Sequence, residues 1–367
     1  MSETVSEAKD VLTYKQGQAG RISLNRPRAL HSLNRQMVRD MAAALHQWRD
    51  DPDVRIILID HNAQPDGDGK IARGFCAGGD VVTIAQDVDG HDAAARAFFF
   101  DEYRLNHLEY TYAKPGVAFM DGVTMGGGVG IAMPCRYRVA TEHTILAMPE
   151  TAIGIFPDVG GGRYLSRLRG RLAQFLALTG ARLDGSESLK LRLATHYLPS
   201  DQLPEAKERI IEQPFRVQAI LDELSEEDVP PPRIAGHLQK IDRYFASDQL
   251  EDIVAALDAG AAQGDEWAAK EAASIAEKSP TACKVSLKLL LESPYQLHFV
   301  DEMRMEYGIM VRLIHHPDFR EGVRALLIDK DNTPNWHPTR PEAIGPRDID
   351  CFFEPLPPEE EWRPFDF

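Results

Sequence analysis

Met125-Gly126-Gly127-Gly128-Val129-Gly130 is the stretch on which the reading of this chain turns. Glycine loses more backbone freedom on folding than any other residue, so three in a row are costly to order. Some requirement for backbone without side chains must offset that cost, either tight packing or close approach by a ligand. The preceding run Val117–Met120 reads as a strand leading into the cluster. If the glycines start a helix, their N–H groups point outward unpaired, with the positive end of the helix dipole behind them. Donors in that position suit an oxyanion, because backbone N–H groups can be aimed at developing negative charge.

Two other clusters flank this one. Gly74-Phe75-Cys76-Ala77-Gly78-Gly79-Asp80 is a glycine-containing turn. It is neither GxxxxGK[ST] nor a GxGxxG after a strand, so a phosphate loop is disfavoured and a surface turn is the plain alternative. Downstream, Met148-Pro149-Glu150-Thr151-Ala152-Ile153-Gly154-Ile155-Phe156-Pro157-Asp158-Val159-Gly160-Gly161-Gly162 carries two carboxylates in an otherwise apolar segment. They could be solvated turn residues. With Met, Ile, Phe and Val as neighbours, partial desolvation is expected instead, and desolvation raises a carboxyl pKa into the range useful for acid or base work near neutrality.

The pattern around these clusters is α/β. Arg21–Leu24 is a short strand, and Gln36–Trp48 has Met37, Met41, Leu45 and Trp48 at helical spacing. Arg55–Ile59 is a buried β-branched strand, Ala63–Ala72 a polar loop, and Ala93–Tyr112 a helix. Val139–Thr141 and Ile145–Ala147 are further strands, and strands alternating with helices imply an α/β arrangement. Beyond residue 200 the chain turns helical: Glu205–Glu212, Ser247–Ala262, Glu266–Lys278, Thr281–Glu292, Tyr295–Arg312 and Phe319–Ile328. Prolines punctuate these helices, and Ser225–Arg233 reads as a linker. The expected organisation is a core over residues 12–200, a helical extension over 201–338, and a peripheral tail over 339–367.

Composition narrows the function. A 367-residue chain with 43% apolar residues can bury a large core. No apolar run reaches the roughly 18 residues of a membrane-spanning helix. The acidic start Met1–Asp10 resembles neither a signal segment nor a transit peptide, so a cytoplasmic protein is expected. Cys76, Cys135, Cys283 and Cys351 are scattered, which suggests neither zinc nor disulfides. A formal charge of −16 argues against nucleic-acid binding. It also means that an anionic ligand must be held by local donors against the overall field.

Taken together, the motifs resemble the crotonase (enoyl-CoA hydratase/isomerase) superfamily. They are Leu24-Asn25-Arg26-Pro27, Phe75–Asp80, Gly122 with Gly126-Gly127-Gly128, then Pro149-Glu150 and a glycine-rich helix start. The resemblance covers about residues 12–200 in order. It implies the ClpP/crotonase-like fold of repeated ββα units with a C-terminal helical region, and an acyl-CoA thioester as ligand. No cofactor is implied beyond the coenzyme A carried by the substrate. Homo-oligomers are common in the superfamily, trimeric rings among them, although a branch with a long C-terminal region can differ. Carried over residue by residue, the thioester oxygen is held by the N–H groups of Ala77 and Gly127. The turn Ala77-Gly78-Gly79-Asp80 lines the coenzyme A site, and Arg26, Arg28, Lys70 and Arg73 are candidates for its phosphates.

The oxyanion donors do not select the reaction; the carboxylates do. Hydratases of the superfamily use two glutamates, one just after the triple glycine and one after the later proline. Here the first position reads Val129-Gly130, without an acid, and the second is Glu150. Asp158 stands where hydratases tend to carry a small residue. The run Met148–Gly162 looks like the 3-hydroxyisobutyryl-CoA hydrolase branch. So do Phe99-Phe100-Asp101-Glu102-Tyr103, Gly322-Val323-Arg324-Ala325 and Leu327-Ile328-Asp329-Lys330-Asp331. The expectation is an acyl-CoA thioester hydrolase in which Glu150 acts on the carbonyl as nucleophile or base. Asp158 binds the substrate 3-hydroxyl or assists proton transfer, and Glu102 places the acyl group. A hydratase or isomerase of the same fold and a non-catalytic binding protein are the alternatives. Cys76 has no histidine at a recognisable spacing and reads as a buried filler.

Overall fold

The computed structural model describes residues 9–62, 74–90, 92–226 and 229–366. Strand β1 (Val11–Gln16) turns back antiparallel on β2 (Ala19–Leu24), and helix α1 (Arg35–Arg49) follows. Asn34 caps α1 by accepting the Met37 N–H at 2.9 Å, and Met37, Met41, Leu45 and Trp48 are its buried face. From β3 (Ile56–His61) onward the chain repeats one unit three times, each unit giving one strand to each of two sheets. The first is β3 and β4 (Gly74–Cys76), followed by helices α2 (Val81–Gly90) and α3 (Asp92–Tyr110). The second is β5 (Gly116–Met120), β6 (Val123–Met125) and α4 (Gly127–Ala132). The third is β7 (Tyr137–Ala140) and β8 (Ile145–Ala147), leading to α5 (Gly161–Leu165) and α6 (Leu172–Thr179). Short strand β9 (Leu183–Asp184), helix α7 (Gly185–Lys190) and strand β10 (His196–Tyr197) complete the sheets. The order is β1-β2-β3-β5-β7-β10 in the larger sheet and β4-β6-β8-β9 in the smaller. This is the expected ββα repeat.

The C-terminal part is built onto those sheets. Helices α8 (Leu203–Glu212) and α9 (Val217–Leu224) cover one face of the larger sheet, where Ile210, Ile220 and Leu221 pack against Ile56, Leu58, Val117 and Phe119. Helices α10 (Leu238–Tyr244), α11 (Leu250–Ala262) and α12 (Glu266–Ala276) follow. Helices α13 (Pro280–Glu292), α14 (Phe299–Leu313) and α15 (Pro317–Val323) come next, packing on α6, α3 and α2 respectively, and α16 (Pro346–Asp350) lies near the end. A five-residue π turn, Arg324–Ile328, continues α15.

The structure differs from the sequence reading at several points. β1 had no apolar alternation to reveal it, since only Val11 of its six residues is buried. The expected strand at Arg21 begins at Ala19, and helix α2 was missed. Ser225–Arg233 is anchored at its far end, where Glu187 accepts from Arg233 (3.0 Å) and from the Ile234 N–H (2.8 Å). Residues 339–367 are not simply peripheral: Trp362 is fully buried and its indole N–H donates to the Phe100 carbonyl at 3.1 Å. The expected loop at 63–72 lies outside the described residues. Among the described residues, no helix is long and apolar enough to cross a membrane.

Candidate active site

Neighbouring parallel strands β4 and β6 bring the two glycine turns together at their C-terminal ends. A Cβ placed on Gly128 would lie 2.2 Å from the Cys76 carbonyl oxygen, so the two backbones touch and only glycine fits. A Cβ on Gly78, whose φ is +106°, would lie 3.4 Å from the Met125 oxygen and 3.7 Å from the Gly127 nitrogen. The triple glycine is therefore explained first by packing, and that packing sets two loops edge to edge.

Their N–H groups correct one expectation. The Ala77 N–H donates to the Leu30 carbonyl at 3.0 Å and is not available to a ligand. Around Gly79 the bridge to Leu33 uses the Leu33 N–H to Gly78 O (2.7 Å) and the Asp80 N–H to Leu33 O (2.9 Å), passing over the Gly79 N–H. The Gly127 N–H belongs to the first turn of α4, where Val129 and Gly130 donate to Gly126 O. Among the described residues the N–H groups of Gly79 and Gly127 have no partner. Gly79 N lies 3.4 Å from the point where a Gly127 Cβ would stand. The pair able to grip an oxyanion is Gly79 and Gly127, with Ala77 only in the wall.

Three carboxylates converge on this pair. Glu150 opens the short 3₁₀ turn Glu150–Ile153 after β8 and is buried, with Oε2 unpartnered among the described residues. Its Oε1 lies 3.0 Å from the position of a Gly126 Cβ. Glu102, on α3, is 2% exposed and its Oε1 lies 2.5 Å from a Gly127 Cβ position, again without a partner among the described residues. Asp158 is buried and accepts from the Tyr103 hydroxyl at 2.8 Å. Burial, then the Asp158 and Glu102 charges, hold the Glu150 carboxyl well above the usual range. Burial and the neighbouring Asp158 do the same to Glu102. Burial raises Asp158 to about 7, against the pull of the Tyr103 hydrogen bond.

A cavity of about 400 Å³ joins these groups. Ala77, Gly78, Gly79, Gly126, Gly127, Glu102, Glu150 and Asp158 all line it, with apolar walls from Phe98, Phe99, Met125, Ile153 and Ile155. That combination of apolar wall and few convergent polar groups is typical of a small-ligand site. Asp80 does not line it. Its carboxylate accepts from Arg26 at 2.8 Å and from the Thr83 N–H at 3.4 Å, so it braces the turn and occupies Arg26. Lys70 and Arg73 lie outside the described residues. Burial pushes the Cys76 thiol up to about 12, which leaves it inert.

The sequence reading missed Tyr103 as the partner of Asp158, Arg182 at the cavity edge, and Leu326 and Leu327, which the π turn places in the wall. The Glu102-Tyr103 pair was visible in sequence, but its approach to a loop 55 residues away was not.

A double-sheet ββα core with facing glycine turns and buried acids is that of the crotonase fold. The profile of the Enoyl-CoA hydratase/isomerase family matches residues 19–353, and the chain belongs to that family. Within it, the chain is 40% identical over 362 residues to "3-hydroxyisobutyryl-CoA hydrolase, mitochondrial" of Gallus gallus, spanning 95% of this chain and 90% of that one. Among solved structures it is similar to a carnitinyl-CoA dehydratase from Mycobacterium thermoresistibile, with TM-score 0.88 and 37% identity over 96% of this chain and 98% of that one. It is also similar to an enoyl-CoA hydratase from Rhodobacter sphaeroides 2.4.1, with TM-score 0.86 and 34% identity over 97% and 100%.

Proposed function

We propose that the protein hydrolyses a short 3-hydroxyacyl-CoA thioester, with 3-hydroxyisobutyryl-CoA as the preferred substrate. The observation that carries this reading is the buried Glu150 carboxyl, its Oε2 without a partner among the described residues, in the same cavity as the Gly79 and Gly127 N–H groups that are likewise unpartnered among them. With the thioester oxygen between those donors, the carbonyl carbon becomes the point of attack. Each donor is worth about 10²–10³ in rate by comparison with other acyl-transfer sites. Ionised Glu150 either attacks the carbon or takes a proton from the attacking water. The carbon–sulfur bond breaks as the carbon–oxygen bond forms, and the departing coenzyme A thiolate takes a proton; where Glu150 is the nucleophile, water then cleaves the resulting anhydride at the Glu150 carbonyl carbon, releasing the acyl carboxylate and restoring the Glu150 carboxyl. Asp158, buried and oriented by Tyr103, is the group for the substrate hydroxyl or for that proton. The identity to relatives named 3-hydroxyisobutyryl-CoA hydrolase supports the substrate.

One observation favours hydration as a second reading. Although no acid follows the triple glycine in sequence, Glu102 reaches Gly127 from α3, so a second carboxyl stands beside the oxyanion donors after all. Thiol release from 3-hydroxyisobutyryl-, 3-hydroxypropionyl- and crotonyl-CoA, read beside loss of the crotonyl double bond, separates the two. Hydrolysis predicts thiol release, fastest with the branched hydroxyacyl ester; hydration of crotonyl-CoA without thiol release would overturn it. Oxygen-18 from labelled water in the Glu150 carboxyl after one turnover distinguishes nucleophile from base.

A further inference from the structure

Gly160-Gly161-Gly162 is a second triple glycine that the cavity does not use. Its surroundings place it against α14, which presents Glu302 and Glu306 one turn apart. The Gly160 N–H donates to Glu306 Oε2 at 2.8 Å. A Cβ on Gly162 would lie 2.6 Å from Glu302 Oε1 and 2.3 Å from Ser293 Oγ, so the loop must be glycine for α14 to come this close. Ser293 donates its hydroxyl to Glu302 Oε1 at 2.6 Å. Both glutamates are fully buried, and among the described residues their remaining oxygens, Glu302 Oε2 and Glu306 Oε1, have no hydrogen-bond partner. Glu302 stands one helical turn from Glu306, so two buried acids face the same glycine loop.

Between Asp158 and Gly160 sits Val159, buried and at φ +52°. A β-branched residue in the left-handed region is an outlier that persists only where its surroundings hold it. Three hydrogen bonds hold this one: the Gly161 N–H to the Asp158 carbonyl at 2.6 Å closes the turn itself, Tyr103 holds the Asp158 side chain on one side, and the Gly160 N–H is tied to Glu306 on the other. We infer that Glu306 is a positioning residue that pins the strained Val159 turn through the Gly160 N–H and so aims the Asp158 carboxyl into the cavity. Ser293 holds the neighbouring Glu302 in place by its hydroxyl. The other ionisable groups that act on this cluster are Glu102 and Tyr103 from α3, Glu150, Tyr164, and Arg163 and Arg167, which act on Glu302. Burial, and after it the neighbouring Glu302, raise Glu306 well above the usual range.

This inference rests on the reading of Asp158 as part of a hydrolytic site. The full-length protein is tested beside Glu306→Ala, Glu306→Gln and Asp158→Asn. One readout is kcat and KM for thiol release per folded molecule across pH. The other is the titration of the Asp158 carboxyl by infrared difference, assigned with Asp158→Asn. Glu306→Ala is expected to lose about 10²-fold in kcat, the cost of misplacing a reacting group by an ångström. Its KM should stay within about threefold, and the Asp158 titration should move toward the ordinary carboxylate range. Glu306→Gln, whose amide oxygen still accepts from Gly160, is expected to keep kcat within about fivefold and the titration near its wild-type place. Unchanged kcat and titration in Glu306→Ala would overturn the inference, as would equal losses in the two variants. If wild type releases no thiol from any ester, the hydrolase reading fails by itself, and the Asp158 titration alone then decides whether Glu306 positions that residue.

Discussion

The Tyr103 hydroxyl donates to Asp158 Oδ2 at 2.8 Å, joining the middle of α3 to a loop on the other side of the cavity. A hydrogen bond to the charged form favours ionisation, so this contact opposes the upward pull of burial on Asp158. Tyr103→Phe therefore shifts the Asp158 ionisation upward from about 7. With a hydrogen bond to a charged group contributing about 1.5–3 kcal/mol, the shift is about one to two pH units. The pH profile of kcat/KM checks it: the limb assigned to Asp158 moves to higher pH, whereas an unmoved limb would count against the contact.

The buried acids make stability depend on pH in a stated direction. The Asp158 pKa in the folded protein, about 7, lies above the ordinary 3.8, so the folded state binds more protons than the unfolded one. This contribution is fully present below about pH 4 and is lost as pH rises through about 7. Asp158→Asn removes the liability. The variant should be more stable than wild type at pH 8 by about 1–3 kcal/mol, the usual size of a buried group left without compensation, with the difference shrinking toward pH 5. Thermal unfolding at several pH values measures it.

Gly127→Ala and Gly128→Ala separate chemistry from packing. At Gly128 the added Cβ meets backbone, the Cys76 carbonyl oxygen at 2.2 Å, and nothing nearby can yield. That variant should lose at least about 3 kcal/mol or fail to fold. At Gly127 the nearest atom is the end of the Glu102 side chain at 2.5 Å, which can swing aside. Gly127→Ala should fold and lose about 10²-fold in kcat as the oxyanion site is crowded. Equal stability losses in both would contradict the placement of Glu102.

The cysteines offer a quick check of burial. Cys76 is buried and its thiol is pushed up to about 12, whereas Cys351 is exposed. Alkylation of the native protein should label Cys351 and spare Cys76, and Cys76→Ala should keep thiol release within about threefold. Rapid labelling of Cys76 with loss of activity would reopen a thiol mechanism.

These outcomes show how far the sequence carries. The glycine turns, Glu150 and Asp158 were legible because their composition is expensive without a reason: glycine runs cost entropy and acids in apolar segments cost solvation. The choice between Ala77 and Gly79 was not, because it depends on which N–H the β bridge to Leu33 leaves free, a matter of register. Strand β1 was hidden since a half-exposed hairpin strand need not alternate. Trp362 and Glu306 were hidden for another reason: their partners, Phe100 and Gly160, lie 262 and 146 residues away.

Glu150 at an amide-gripped carbonyl is tested most directly by comparing wild type with Glu150→Gln, a change that keeps shape and removes the ionisable oxygen. The measurement is single-turnover thiol release from 3-hydroxyisobutyryl-CoA, read beside the affinity for a non-hydrolysable thioether analogue. The account predicts that release falls by at least about 10³-fold while the analogue binds within about threefold of wild type. Release within tenfold of wild type, with binding intact, would contradict it.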